Sequence, residues 1–478
     1  MLQVSEPCGP EGLSSMYVGP YRKKIPHSVS NPNQVPIVEN HVLSVLEDQG
    51  FDLDVKRDNK SVASKSDLFD ALSRYQGDEI NAHWSTLSKA ISSAFHAFAG
   101  DGSLTPLLSE DQLYSALKLD KSSGAPEFKS KSDAFQVDFR RARRVISGKR
   151  PAQPCVAYHR VQHGEAGPKT RLVWGFPLSM TIVEAAFARP LIDKFLQIRT
   201  PMAFGLHKMD LSARAQVIEN SNIRVGLDVS KFDASVKPRL IRVAFDILKT
   251  WFTNDSDMER HWNVIQEYFV HTPIIMPDRN IYKKHQGVPS GSYFTQMVDS
   301  IVNYIMVQYI FLRVRGQLVN QKYVMVLGDD SLVGISDPIN MNAVVRAASE
   351  IGFKINSHKS EISRFGQSMA FLGHHWEFGL PSRSVDELVK RAVFPERISG
   401  IDDADTRRLT RVVSLSGDAH EGMKLFRAYG VPIKALLATS LNVRPDRVQT
   451  GWLDLLASQG GKERISGARD YLTLSLYR

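Results

Sequence analysis

Cysteine is almost missing from this chain: 478 residues hold two, Cys8 and Cys155. No disulfide framework supports the fold, and a reducing, intracellular setting is expected. Long apolar runs are also scarce. The most apolar helical stretch, 301–312, falls short of a membrane span and carries Asn303 and Gln308, so it reads as a buried helix with no membrane partner. The opening residues, MLQVSEPCGPEGLSSMY, lack a basic region followed by an apolar core, so no secretory signal is expected. No internal repeat or low-complexity tract occurs. Apolar residues make up 42% and charged residues 23%, which argues against wholesale disorder.

What is present is a chain long enough for two to four domains and a formal net charge of +9, a balance that suits a polyanionic partner without identifying it. Residues 1–90 are mixed, with Ser, Pro and Asn early on, and read as an extended arm wrapping a larger body. Residues 121–177 are basic and read as loop-rich, containing SSGAPEF, RRARR and GPKTRLVWGFP. Beyond them VGLDVSKFDASV predicts a strand and a turn. KPRLIRVAFDILKTWF then spaces Leu240, Ala244, Ile247, Leu248 and Trp251 as one helix face. A glycine-punctuated loop, HQGVPSGS, precedes a long apolar helix over 293–311, and KYVMVLGDDSLVGIS predicts two short strands around a Gly-Asp-Asp turn. The last hundred or so residues alternate helical patterns with polar breaks, and Ser384 with Glu387 forms a capping box.

The chemistry lies in the carboxylates. Acidic residues in a hairpin turn are ordinarily solvated turn formers, so Asp329 and Asp330 alone say little. A second acidic pair, Asp228 and Asp233, stands where the apolar strand 225–227 ends. Carboxylates gathered at strand ends repel unless something compensates them, and a divalent cation is the obvious compensator. Magnesium takes oxygen ligands and retains water, so Asp228 and Asp329 are the expected metal ligands. Two such ions about 3.5–4 Å apart can activate an attacking hydroxyl and stabilise leaving pyrophosphate.

DVSKFD, SGSYFTQMVDSIVN and GDD, in that order, resemble the three central motifs of right-hand RNA-dependent RNA polymerases. The strings SSGAPEF, RLVWGFP, GVPSGSYFTQMVDSIVNY and LGDDSL are similar to the polymerases of partitiviruses, small double-stranded-RNA viruses, and the length resembles their plant cryptic members. The resemblance covers about residues 120–376. It implies an α+β right hand of fingers, palm and thumb, with a three- to four-stranded antiparallel palm sheet and a mainly helical thumb. The expected divisions are an N-terminal arm over 1–90, fingers over 91–223, palm over 224–376 with a fingers insertion about 253–288, and thumb over 377–478.

The same resemblance implies site roles. Asp228 and Asp329 would bind two Mg2+ ions, or Mn2+, with Asp330 assisting. Asp233 would sense the ribose hydroxyls, while Ser290, Gly291 and Thr295 would support the template and the new base pair. Lys169 and Arg171, two apart and so on one strand face, would clamp triphosphate oxygens, although such a pair is also an ordinary solvated face. Lys359, with Lys354 as rival, matches the proposed general acid. Gly373 and His374, in FLGHHW, resemble the turn that grips the nascent strand; Ser123, Gly124, Arg143 and Arg144 would meet RNA. Where many positive-strand polymerases carry Asn four residues after the helix Thr, this chain has Asp299, with Asn303 a turn further along. RNA template and product, ribonucleoside triphosphates and a viral capsid protein are the implied partners, in the virion interior and host cytoplasm.

Cys155, His159 and His163 have metal-like spacing, but the prolines and glycines around them oppose an aligning helix and no fourth ligand lies near. Gly461-Lys462 is followed by Glu463, so no phosphate-binding loop of the ATPase type is present. A non-catalytic RNA-binding or capsid protein has no need of acidic residues at several strand ends. A reverse transcriptase uses the same metal logic but commonly carries an aromatic-x-Asp-Asp turn in place of Gly-Asp-Asp.

Overall fold

A computed structural model describes residues 13–26, 43–44, 47 and 65–383 except 78, 165–166, 207 and 254. The expected thumb beyond residue 383, with the capping box at Ser384, lies outside the described residues. Among the described residues the first strand is β1 (Tyr17–Pro20), and the helices α1 (Lys65–Ser73), α2 (Trp84–Phe98), α3 (Glu110–Ser115) and α4 (Lys131–Ile146) come next. Serines open α3 and α4: Ser109 accepts the Gln112 amide in a reciprocal capping box, and Ser130 accepts the amide of Asp133.

The stretch 121–177 is more regular than its composition suggests. It holds α4 and a long hairpin, β2 (Cys155–Gly164) and β3 (Gly167–Gly175), paired from Val156↔Gly175 to Gly164↔Gly167. Arginines mask α4, whose buried stripe of Ala134, Phe135, Ala142 and Val145 keeps helical spacing behind them. Cys155 sits in the core, its Sγ 3.5 Å from the Tyr268 hydroxyl.

Two helices, α5 (Leu178–Phe195) and α6 (Lys208–Glu219), lead to β4 (Ile223–Leu227), the single turn α7 (Phe232–Ser235) and α8 (Pro238–Lys249). The expected face of α8 is buried at Leu240, Ala244, Ile247 and Leu248. Trp251 falls just past its end, where the indole donates to the Phe98 carbonyl at 2.9 Å. Next come α9 (Ser256–Val270), β5 (Pro273–Ile275), β6 (Asn280–Lys283) and the central helix α10 (Thr295–Arg315). The chain continues through β7 (Val324–Leu327), β8 (Asp330–Ile335), α11 (Met341–Glu350), β9 (Glu361–Arg364), β10 (Met369–Phe371), β11 (His374–Glu377) and β12 (Leu380–Ser382).

Among the described residues the strands form three sheets. A four-stranded antiparallel sheet runs β7-β8-β4-β9. A five-stranded sheet runs β1-β6-β5-β2-β3, mixed because β2 and β5 pair in parallel, and a three-stranded antiparallel sheet runs β10-β11-β12. Helix α10 is long and apolar enough to cross a membrane, yet 83% of its most apolar window is buried inside the protein. It packs against α2, α8, α11 and β7, so a helix apolar on nearly every side is a core element here. Beneath the four-stranded sheet it forms the floor on which the acidic turns rest.

Candidate active site

Two local structures bring the acidic residues together. The β7–β8 hairpin closes through Leu327↔Asp330, leaving Gly328 and Asp329 as its two central residues. Gly328 takes φ +62°, the left-handed value that suits the first central position of a type II′ turn. Strand β4 pairs with β8 as far as Leu227↔Ser331, so the next step of that register sets Asp228 opposite Asp330. Asp228 is held from the far side: its amide donates to Ser360 Oγ at 3.0 Å, and its carbonyl accepts the Asn356 amide at 2.8 Å.

The electrostatics show how close this gathering is. Burial pushes the Asp330 carboxyl up to about 7, and the charges of Asp329 and Asp228 add to the shift. The Leu372 amide, in the β10–β11 turn, bonds the same carboxyl and opposes the rise, as does the charge of Arg171. Thus the FLGHHW turn and the β3 arginine both reach the acidic turn. Gly373 follows with φ +67°, and the His374 ring bonds the Leu372 carbonyl at 2.9 Å, bracing that turn. Lys169 pairs with Gln162 on the same strand as Arg171.

Asp233 lies on α7, fixed by the stack of Phe232 on Phe353 (centroids 5.2 Å apart, 10° between planes) and by the Val288 amide donating to its carbonyl at 2.7 Å. Asp299, one turn into α10, is 3% exposed and its Oδ1 has no partner among the described residues. Burial, then the charges of Asp233 and Asp329, raise its carboxyl well above the usual range, with Lys284 opposing. The physical consequence is a carboxyl whose charged form is disfavoured where it stands.

The residues beside them divide. Thr295 donates its hydroxyl to the Pro289 carbonyl at 2.8 Å, and Ser290 Oγ accepts the Trp174 amide at 3.3 Å. A Cβ on Gly291 would stand 1.8 Å from the Trp174 carbonyl, so no other residue fits that close approach. Asn303 departs from the expectation of nucleotide contact. It is fully buried, and its amide donates to the Gly328 carbonyl at 2.9 Å and the Asp330 carbonyl at 3.0 Å, so it buttresses the acidic turn. Ser300 completes the grip by accepting the Gly328 amide at 2.9 Å.

Ser123 also departs from the expectation of RNA contact. It is fully buried and closes the SSGAPEF turn by accepting the Lys129 amide at 3.1 Å, whereas its neighbours Ser122 and Gly124 line a cavity of about 640 Å³. Lys118, Lys121, Lys131 and Arg189 line the same cavity, which reaches Gly291 and Tyr293. Arg143 and Arg144 are exposed on α4, outside that lining. Arg141 is committed to Glu127 at 2.6 Å and to buried Asp138 at 3.0 Å. Lys359 is exposed in the turn that holds Asp228, one residue before Ser360; Lys354, the rival, offers its carbonyl to the Ser230 amide at 2.8 Å.

Among the described residues, no three His, Cys, Asp or Glu side chains stand in ready-made metal-ligand geometry. The fit of a divalent cation rests on charge: Asp228, Asp329 and Asp330 crowd one corner, and their repulsion is what a cation relieves. Sequence reasoning missed two buried ionisable groups, Glu184 and Lys284, the second close enough to oppose the rise of Asp299. Lys284 is fully buried, and its ammonium donates to the carbonyls of Phe269, Val270 and Gly287 at 2.5, 2.9 and 2.6 Å. For Glu184 a signal existed: one acid alone in the run MTIVEAAFA.

An antiparallel sheet with acids at its hairpin tip, floored by a buried helix and walled by a basic β-hairpin, is the fold of the right-hand polymerases. A family model described as viral RNA-dependent RNA polymerase matches residues 57–395, and the chain belongs to that family. It is similar to the RNA-directed RNA polymerase of Cryptosporidium parvum virus 1, 33% identical over 189 residues that cover 38% of this chain and 35% of that protein. It is also similar to the RNA-directed RNA polymerase of White clover cryptic virus 1, 27% identical over 264 residues, 47% of this chain and 42% of that one. Both belong with the partitivirus-like polymerases that the sequence motifs resemble. The chain matches less than half the length of either relative. The crystal structure of the RNA-dependent RNA polymerase of a human picobirnavirus shares the fold, with a TM-score of 0.67 at 18% identity over 98% of this chain and 93% of that one.

Proposed function

We propose that this chain is the RNA-dependent RNA polymerase of a double-stranded-RNA virus, transcribing and replicating its genome by metal-assisted nucleotidyl transfer. The observation that carries the reading is the corner where the end of β4 meets the β7–β8 turn, with Asp228, Asp329 and Asp330 crowded together. Asp228 and Asp329 would hold two Mg2+ ions, or Mn2+, with Asp330 beside them. Bound there, the ions would ease deprotonation of the attacking 3′-hydroxyl and neutralise charge on the departing pyrophosphate.

The chain's own residues supply the rest. Arg171 meets triphosphate oxygens from β3, together with Lys169. Lys359 gives a proton to the pyrophosphate from the turn beside Asp228. Asp233 and Asp299 face the ribose, and the cavity beside Gly124 and Gly291 takes the template strand. In this reading residues 1–90 form an arm, 91–223 with about 253–288 the fingers, 224–376 the palm and 377–478 the thumb. A capsid protein is the assembly partner, and the virion interior and host cytoplasm are the working places.

Purified protein given single-stranded RNA, four ribonucleotides and magnesium should yield double-stranded product, and chelation should stop synthesis while leaving RNA binding. RNA binding without incorporation would sink the reading in favour of a binding protein. Incorporation of deoxyribonucleotides in preference to ribonucleotides would favour a reverse transcriptase.

A further inference from the structure

Glu184 is a fully buried carboxylate in the middle of α5, and among the described residues it has no ion pair. Both its oxygens go to one turn: Oε1 accepts the Ser292 hydroxyl at 2.8 Å, and Oε2 accepts the Tyr293 amide at 2.9 Å. Burying an acid on neutral donors alone is costly, and burial here pushes its carboxyl up to about 8. An apolar residue would pack α5 more cheaply, so the cost points to the turn that the acid holds.

That turn is the start of α10. The helix has Phe294 at its N-cap, with no side-chain cap of its own. Ser292 Oγ stands in, accepting the Phe294 amide at 3.1 Å while donating to Glu184. A carboxyl group from another helix thereby closes on the turn that opens α10, through Ser292 and the Tyr293 amide. On one side of the turn, Gly291 and Tyr293 line the basic cavity. On the other, α10 carries Asp299 and the two residues, Ser300 and Asn303, that grip the acidic hairpin.

We propose that Glu184 is a positioning residue for templated synthesis: it fixes the turn 290–294 so that a strand in the basic cavity and the acidic hairpin stay in register. The inference rests on the polymerase reading and concerns rate rather than affinity.

Single-nucleotide incorporation on a preformed primer–template, with thermal unfolding alongside, tests it. Glu184→Ala should lower kcat at least about thirtyfold, with KM for RNA and nucleotide moving less than about threefold. Glu184→Gln can accept the Tyr293 amide and donate to Ser292, so it should stay within about fivefold of wild type. Ser292→Ala should lower kcat about tenfold, and the double variant with Glu184→Ala should be no worse than about twofold below Glu184→Ala, because both act through one contact. Additive losses, a Gln variant as impaired as the Ala variant, or an effect confined to KM would overturn the proposal. If Glu184→Ala does not fold, Glu184→Gln and Ser292→Ala decide it, and an unchanged kcat in Ser292→Ala overturns it. A wild-type protein without magnesium-dependent synthesis would overturn the polymerase reading and this inference together. An active wild type with unresponsive Ser292→Ala overturns this inference alone.

Discussion

The acidic corner and the basic cavity meet at one turn, yet they are built on opposite terms. In the corner, Asp228, Asp233, Asp299, Asp329 and Asp330 crowd together, and burial with mutual repulsion raises Asp299 and Asp330. In the cavity, Lys118, Lys121 and Arg189 line an open volume of about 640 Å³. Lys131, which joins them, is lowered by burial. Concentrated charge that repels itself is poised for a cation and for chemistry; like charges spread around an open volume suit a polyanion. Damage to the corner should therefore appear in rate, and damage to the cavity in affinity.

The largest break in that comparison should come from Asp329→Asn, which removes the exposed carboxylate at the hairpin tip. Synthesis should fall by about three orders of magnitude or more, with RNA retention and unfolding midpoint near wild type. Near-wild-type turnover with magnesium would take Asp329 out of the metal site. Asp330→Asn should cost less, about ten- to a hundredfold in the rate of synthesis, because the amide still accepts the Leu372 N–H that holds this side chain.

Ribose choice sharpens the corner from within. Asp233→Ala should narrow the preference for ribo- over deoxyribonucleotides by at least about tenfold, roughly 1.4 kcal/mol, since an unsatisfied polar pocket rejects the sugar lacking its partner. Asp299→Asn should narrow it less than Asp299→Ala, because the amide keeps polar atoms beside Asp233. Matched single-nucleotide incorporation measures both ratios. An unchanged ratio in the two alanine variants would move ribose recognition to other residues.

How much of this was legible beforehand follows a physical divide. Local patterns carried far: the Gly-Asp-Asp hairpin, the strand before Asp228, the face of α8 and the buried helix α10 all depend on short-range periodicity or turn chemistry. Contacts between distant segments did not. Asn303 looks like a nucleotide ligand from its place after Asp299, but only the fold shows its amide bound to Gly328 and Asp330. Ser123 and Ser122 are indistinguishable in a string, and the turn's closure on Lys129 decides which faces the cavity. The α4 arginines point to a solvated helix face, but charge counts register that surface and not the stripe beneath it.

The smallest expected effects separate arginines that look alike. RRARR supplies four cations within five positions, and a reading from charge alone assigns them together to the RNA channel. Arg141 is engaged by Glu127 and buried Asp138, so Arg141→Ala should act on stability: it strands a buried carboxylate and should lower the unfolding free energy by about 1–3 kcal/mol, read out as a lower midpoint. Any effect on RNA affinity should be secondary to that loss. Lys121 and Lys131 border the cavity, and replacing each with Ala should weaken RNA binding several-fold and reduce the salt slope by about one phosphate contact. Arg143 and Arg144 project from the exposed face of α4 outside the cavity lining, so Arg143→Glu should change affinity less than about threefold at 0.15 M salt, where screening is strong beyond about 8 Å. Binding isotherms at several salt concentrations order the three groups. If Arg143→Glu weakened binding more than Lys121→Ala and reduced the salt slope by more, the RNA path would run over the α4 surface and the cavity would lose its role as the template's berth.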